Sequence, residues 1–269
     1  MKTGLILTTL TFLALSSASG QTLRDLFNRQ NPVAVISPSP LAIIEMMERQ
    51  LSNEFKGKAA SIASHTTAKL VQDGKILAYG TVINGRDSRF SYLLCPADSI
   101  GNGEFVIQTQ DGNLHSPLAN ASINLLSDGD NLAIIRLARL NKAISTKARL
   151  NDSMIGSFVG ILGSHQSWKT GAVTNSNRSA FTSIDPGTQR ALSKHWERIG
   201  LQVNKKRSGY PEVIETDLNI SPSEAGSPVF DRSGEWQGIA IARADQHSTL
   251  VIPAKRIASL ITEFEMIYQ

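Results

Sequence analysis

Hydrophobic residues recur along this chain with two periods, and the change between them marks the first structural boundary. Over Leu41 to Phe55, the residues Ile44, Met47, Leu51 and Phe55 return at helical spacing, which predicts an amphipathic helix. From Ala59 onward the pattern becomes that of strands. Thr67 to Gln72 alternates, Asp73-Gly74 is a two-residue hairpin signal, and Ile76 to Ile83 continues the pattern. The turn Asn84-Gly85-Arg86-Asp87 leads to Phe90 to Leu94. Phe105 to Thr109, the turn Asp111-Gly112-Asn113, Ile123 to Leu125 and the mostly apolar Leu132 to Leu137 complete a first strand set. The second set is Gly156 to Leu162, Gly171 to Thr174, Glu212 to Ile214, Val229-Phe230, Trp236 to Ala242 and Thr249 to Ile252, closed by Pro253. Ile257, Leu260, Ile261 and Phe264 then share one face of a helix over 254–267. Short strands separated by Gly, Asn and Asp turns predict an all-β fold of antiparallel β-barrel type, with a helix at each end. The polar stretch from Ser176 to Tyr210 reads as an inserted surface loop.

The 269 residues are 41% hydrophobic and 19% charged, enough for a sizeable core in one large domain or two sub-domains. Lys2, the apolar run Leu5 to Leu15 and the small residues Ala18-Ser19-Gly20 predict a signal peptide over 1–20, cleaved near Gly20. That run is too short to span a bilayer comfortably, so no stable membrane anchor is expected after cleavage. Residues 21–56 read as a linker, Pro/Ser-rich between Asn31 and Pro40, and then the first helix. Losing Lys2 takes the formal charge from +4 to about +3, a balance that does not call for nucleic acid. The basic cluster Lys205-Lys206-Arg207 reads as a solvated loop. Cys95 is the only cysteine, so no intrachain disulfide can form. An exported chain without disulfides suits a bacterial periplasm or exterior. No two histidines or cysteines have ligand spacing, so no metal and no cofactor is expected.

Residues 216 to 228, TDLNISPSEAGSP, form a tight Gly/Pro/Ser loop between two β-rich runs, a place where a fold can raise one side chain into a cleft. The segment resembles the nucleophile loop of trypsin-like serine proteases, above all the HtrA-like bacterial branch. Thr216, Asp217, Ile220, Pro222, Gly226 and Pro228 stand in register with that pattern. Further stretches resemble the same family: Gly80-Thr81-Val82-Ile83, Gly156 to Gly163 and Leu250-Val251-Ile252-Pro253. The resemblance covers roughly 57–265 and implies the chymotrypsin fold over 57–269. Barrel one would span about 57–145 and barrel two about 146–253, with the cleft between them and the helix 254–267 after them. It leaves no room for a PDZ-like domain after the barrels.

The same resemblance implies where a catalytic triad would stand, in the chain order His, Asp, Ser. Tyr92 to Ile100 matches the histidine segment and puts Asp98 at the histidine position. Asp130-Asn131-Leu132-Ala133-Ile134 matches the aspartate segment and puts Asn131 at the aspartate position, one residue from Asp130. Ala225 takes the place of the nucleophilic serine. The oxyanion-hole loop becomes Ser223, Glu224 and Ala225, with Ser223 where the family has glycine and Ser227 at a second glycine position. A methyl group cannot attack a carbonyl, and a carboxylate is a poor base for a hydroxyl. Among alternative groups, Ser223, Ser227 and Cys95 lie near these positions. The histidines are His65, His115, His165, His195 and His247, of which His165 is best placed to face the cleft.

These residues lead to the expectation of a secreted or periplasmic pseudoprotease, a trypsin-like module that binds or scaffolds a peptide or protein partner without cleaving it. Strand addition to an exposed edge of the second barrel is one expected binding mode. Two alternatives stand beside it: an active serine-type endopeptidase with an unconventional nucleophile, and a purely structural envelope protein.

Overall fold

A computed structural model describes residues 39–85, 89–100, 105–117, 124–127, 129–146, 153–164, 166–180, 210–243 and 248–268. The expected signal peptide, most of the insertion, and His165, His195 and His247 lie outside the described residues. The chain divides into two compact units, Met1–Glu45 and Met46–Gln269. In the first, the described residues open helix α1, Pro40–Lys58. The Ser39 hydroxyl accepts the Ala42 N–H at 3.2 Å, and Pro40 sits where a missing N–H is harmless.

The second unit carries the β structure. A short helix, α2 (Ala60–Thr66), precedes the first strand, where strand periodicity alone was expected from Ala59. Its small residues explain it: Ala59 and Ala63 are fully buried beside Phe55, and the Thr66 hydroxyl donates to Ile62 O. The first strand set is β1 Thr67–Gln72, β2 Lys75–Asn84, β3 Phe90–Pro96, β4 Val106–Thr109, β5 Leu114–His115, β6 Asn124–Ser127, β7 Leu132–Ala138 and β8 Ile144–Ser145. Asp73 and Gly74 both have positive φ, 50° and 73°, as a two-residue type I′ hairpin requires. The strands form a sheet in the order β5-β4-β1-β2-β3-β7-β6, with β8 parallel to β2. Its end strands, two and four residues long, are not paired to each other among the described residues. Among the described residues the first strand set is therefore a curled sheet whose closure is not shown, where the sequence led us to expect a barrel.

The later strands do close: β9 Phe158–Leu162, β10 Trp168–Ala180, β11 Tyr210–Thr216, β12 Pro228–Asp231, β13 Trp236–Arg243 and β14 Thr249–Pro253. They run round the barrel in the order β10-β11-β14-β13-β12-β9, with β9 paired back to β10. Val159, Ile161, Ile214, Val229, Ala240 and Val251 fill the interior. Their neighbours Phe230, Ile239, Ile241, Leu250 and Ile252 face outward, yet are also buried, in a second cluster. Burial on both faces explains why these strands read as continuous apolar runs. One expectation changes here. Strand β10 continues to Ala180, so the insertion expected from Ser176 begins as strand. Closure gives each barrel strand a neighbour on both sides, but β9 pairs only with Trp168–Ala172 of β10 and β14 only with Ile214–Thr216 of β11, so the outer parts of β10 and β11 pair with each other alone.

The outward cluster joins barrel and sheet. Tyr92, Leu94, Leu132 and Ile134 from β3 and β7 belong to it, as do Ile257, Leu260, Ile261 and Phe264 of helix α3, Ala254–Tyr268. The opposite faces of β3 and β7, with Leu93, Cys95, Ala133 and Ile135, pack into a third cluster with Leu70 and Ile107.

Candidate functional site

The end of β3 and the turn before β7 meet first. After Pro96 the chain makes a 3-10 turn, Ala97–Ser99, whose first N–H donates to Asn131 O at 2.9 Å. Asn131 has φ 51°, a left-handed conformation that asparagine tolerates better than most residues. Its side chain turns to Asp98 and makes two contacts: Nδ2 donates to Asp98 Oδ1 at 3.0 Å, and Oδ1 accepts the Asp98 N–H at 3.3 Å. Asn131 is buried while Asp98 is exposed. Asp130 points elsewhere. Its Oδ2 accepts from Arg256 of α3, at 2.9 Å from Nη2 and 3.2 Å from Nε, and from the Ser127 hydroxyl at 2.7 Å. Of the adjacent pair, it is Asn131 that faces Asp98.

The loop carrying Ala225 is fixed against the same strand ends. Gly226 has φ 102°, and a Cβ there would collide with the Tyr79 carbonyl and press on Pro96. Only glycine allows so close an approach. The Thr81 hydroxyl donates to Gly226 O at 2.7 Å, and Gly226 N–H donates to Ala240 O at 2.6 Å. The loop thus joins β2 of the sheet to β13 of the barrel. Ala225 is 4% exposed, so even its methyl group is largely covered.

Before Ala225 lies a second 3-10 turn, Pro222–Glu224, closed by a capping box between Ser221 and Glu224. The Ala225 N–H donates within this turn, to Pro222 O at 3.4 Å. A donor committed to its own turn is not aimed at a substrate oxyanion. Ser223 is half-buried and Ser227 fully buried, and Ser227 Oγ has no hydrogen-bond partner among the described residues. The described histidines are engaged or placed elsewhere. His65 bonds Asp111 and Lys142, and His115 lies in the end strand β5. Cys95, on the far face of β3, is fully buried, and burial pushes its thiol up to about 12. It is a packing residue and not a thiolate nucleophile at neutral pH.

Glu224 is the strongest electrostatic feature of the loop. Its side chain is 0% exposed, yet it is ionically paired: Lys169 Nζ of β10 approaches Oε2 at 2.5 Å. Ser221 N–H and Ser164 N–H add hydrogen bonds at 2.7 and 2.9 Å. Burial alone would raise this carboxyl. Lys169 and the two backbone donors outweigh it and hold the group below its ordinary value. The charge has a second consequence. Burial first, and Glu224 second, push the Tyr79 phenol up to about 12.

The structure thus pairs Asp98 with Asn131 and seats the loop after Ala225 against Tyr79 and against Pro96, which ends β3 two positions before Asp98. Of the partners there, Lys169 and Tyr79 were not singled out from sequence, and Thr81 only as part of the Gly80–Ile83 stretch. The Ser221-x-x-Glu224 spacing was a readable capping signal, whereas the Lys169 pairing spans 55 positions and leaves no local pattern. Among the described residues no group of three or more His, Cys, Asp or Glu side chains is arranged to hold a metal, and no helix is long and apolar enough to cross a membrane. The chain matches no protein-family model and no curated protein.

Proposed function

We propose that this chain is an exported, non-catalytic member of the trypsin-like fold, a pseudoprotease that holds a peptide or protein segment at the Asp98–Asn131–Ala225 junction without cleaving it. One observation carries the reading. Where a nucleophile, an imidazole and an orienting carboxylate would be needed, the positions that the resemblance picks out carry a buried methyl group at Ala225 and a hydrogen-bonded carboxylate–carboxamide pair, Asp98 and Asn131. The curled sheet and the closed barrel are compatible with a two-barrel ancestry, and the loop order agrees with that of the family. The retained frame, with Gly226 fitted against Tyr79 and Glu224 paired to Lys169, supports a maintained binding architecture.

In this reading the protein acts outside the cytoplasm after loss of residues 1–20. The partner is held by pockets and loops at the junction, along the margins β5 and β6 of the sheet, or on the outer part of β10 and β11 that is paired on one side only. The test is incubation of the protein with a random decapeptide library, with mass spectrometry of the retained fraction, in parallel with a fluorophosphonate probe. The expected result is a selected set of intact peptides and no covalent adduct. Shortened peptides with an adduct on a serine would overturn the non-catalytic half of the proposal, and no enrichment would overturn the binding half.

A further inference from the structure

A separate cavity of about 520 Å³ opens between α2, β8 and the β12–β13 turn, and none of Asp98, Asn131 or Ala225 lines it. Its apolar wall is aromatic and aliphatic. Phe230, Trp236 and Ile144 are buried, and Ile62 of α2 is 43% exposed. The Trp236 indole N–H donates to Gly238 O at 2.7 Å, so the ring offers the cavity carbon surface without an unsatisfied donor. The turn is held open by Asp231, whose Oδ1 accepts the N–H groups of Ser233 and Glu235. A volume of this size suits a small organic molecule, and an apolar lining with a few convergent polar groups is what such sites share.

The polar end is built by three side chains in series. Asp111 is anchored by the Thr109 hydroxyl and by Asn113 Nδ2. It meets His65 Nδ1 at 2.6 Å, and Lys142 Nζ lies 3.0 Å from His65 Nε2. An ionised carboxylate only accepts and an ammonium only donates. The proton of the ring therefore sits on Nδ1, and Nε2 accepts from Lys142. The chain Asp111–His65–Lys142 holds the ammonium in place with two N–H donors uncommitted among the described residues. Glu235 also lines the cavity and opposes negative charge, so an anionic group of the ligand is confined to the Lys142 end.

We infer that this cavity binds a monocarboxylate on an aromatic or branched apolar body, with its carboxylate on Lys142 and its body against Ile62, Ile144 and Trp236. The shared chemistry is found in free aromatic acids and in the C-terminal residue of a peptide. The site is independent of the proposed function at the junction.

Isothermal titration of the full chain tests it with 3-phenylpropionate, 3-phenylpropionamide and 3-phenylpropylamine, and with the tripeptide Ala-Ala-Phe as acid and as amide. The acid is expected to bind about tenfold or more tightly than its amide, the scale of a hydrogen bond to a charged group. Lys142→Met should reduce the acid to the level of the amide. Ser61→Trp, at an exposed helix position in the lining, should weaken acid and amide alike, and both variants should melt like the wild type. Binding of the free acid alone supports a small-molecule site, and binding of the tripeptide acid alone supports a chain-end site. Equal binding of acid and amide, tighter binding of the amine, an unaltered acid affinity in Lys142→Met, or no heat from any ligand overturns the inference.

Discussion

Replacing Lys169 by Met tests whether the Glu224 pair holds the loop together. The substitution keeps most of the side chain's length and removes the charge. Glu224 then remains fully buried with only the Ser164 and Ser221 N–H donors. Removing one partner of a buried ion pair typically costs about 3–5 kcal/mol. Lys169 is 30% exposed, so solvent already screens part of the attraction. Discounted accordingly, the loss is about 2–3 kcal/mol at pH 7, or a fall in Tm of roughly 5–10 °C for a unit of this size. The pH dependence comes from the direction of the shift. The folded-state carboxyl lies below its unfolded value, so its contribution is complete above about pH 4.3 and is lost as pH falls through the folded value. Without Lys169 burial is less opposed and the carboxyl rises, so its ionised form weighs against folding at neutral pH. The gap between wild type and variant is therefore widest near neutrality and narrows in acid. Urea denaturation of both proteins from pH 7 down to pH 4 measures it. A gap below about 0.5 kcal/mol, or one that stays constant with pH, would refute the reasoning.

Three further outcomes are expected. Gly226→Ala adds a Cβ that strikes the Tyr79 carbonyl at φ 102°, and should lower stability by about 2–4 kcal/mol in urea denaturation; a neutral effect would mean the loop is not seated on β2. Asn131→Asp replaces a donor to Asp98 with a second carboxylate, so the variant should melt below wild type at pH 7 and approach it in acid, which differential scanning calorimetry across pH detects. Cys95 should resist iodoacetamide in the native protein at pH 8 and react only on unfolding, as mass spectrometry would show; rapid native labelling would contradict its burial.

Period and turn chemistry made most of the second unit legible. Strand β1 falls on Thr67–Gln72 as expected, because a hairpin residue pair bounds it and alternation marks its faces. The C-terminal helix is equally clear from one apolar stripe with Pro253 before it. Helix α2 was hidden because seven residues give less than two turns of periodicity. Whether a strand set closes was not readable either, since closure depends on pairings such as β9 with β10 and not on the strands themselves. Motif register named Asp98, Asn131 and Ala225. The contacts that set their surroundings could not be read from it: Thr81 to Gly226 spans 145 positions, and Arg256 to Asp130 spans 126. Gly226 was legible by its register with the loop pattern, but the reason for it, the Tyr79 carbonyl, exists only in the folded chain.

Hydrolysis of unfolded casein tests the central proposal most directly. The proteins to compare are the wild type, Ala225→Ser, and the combined Asp98→His, Asn131→Asp, Ala225→Ser and Ser223→Gly variant. The first two should show no cleavage, because a serine at 225 would have no imidazole to take its proton. Orientation of that imidazole matters as well, since an Asp-to-Asn change at the orienting position lowers turnover about 10⁴-fold in a serine protease. Any cleavage should appear only in the combined variant, and a serine-directed inhibitor should abolish it. Inhibitor-sensitive cleavage by the wild type would contradict the pseudoprotease reading, and the same activity in Ala225→Ser alone would show that a base other than residue 98 serves the site.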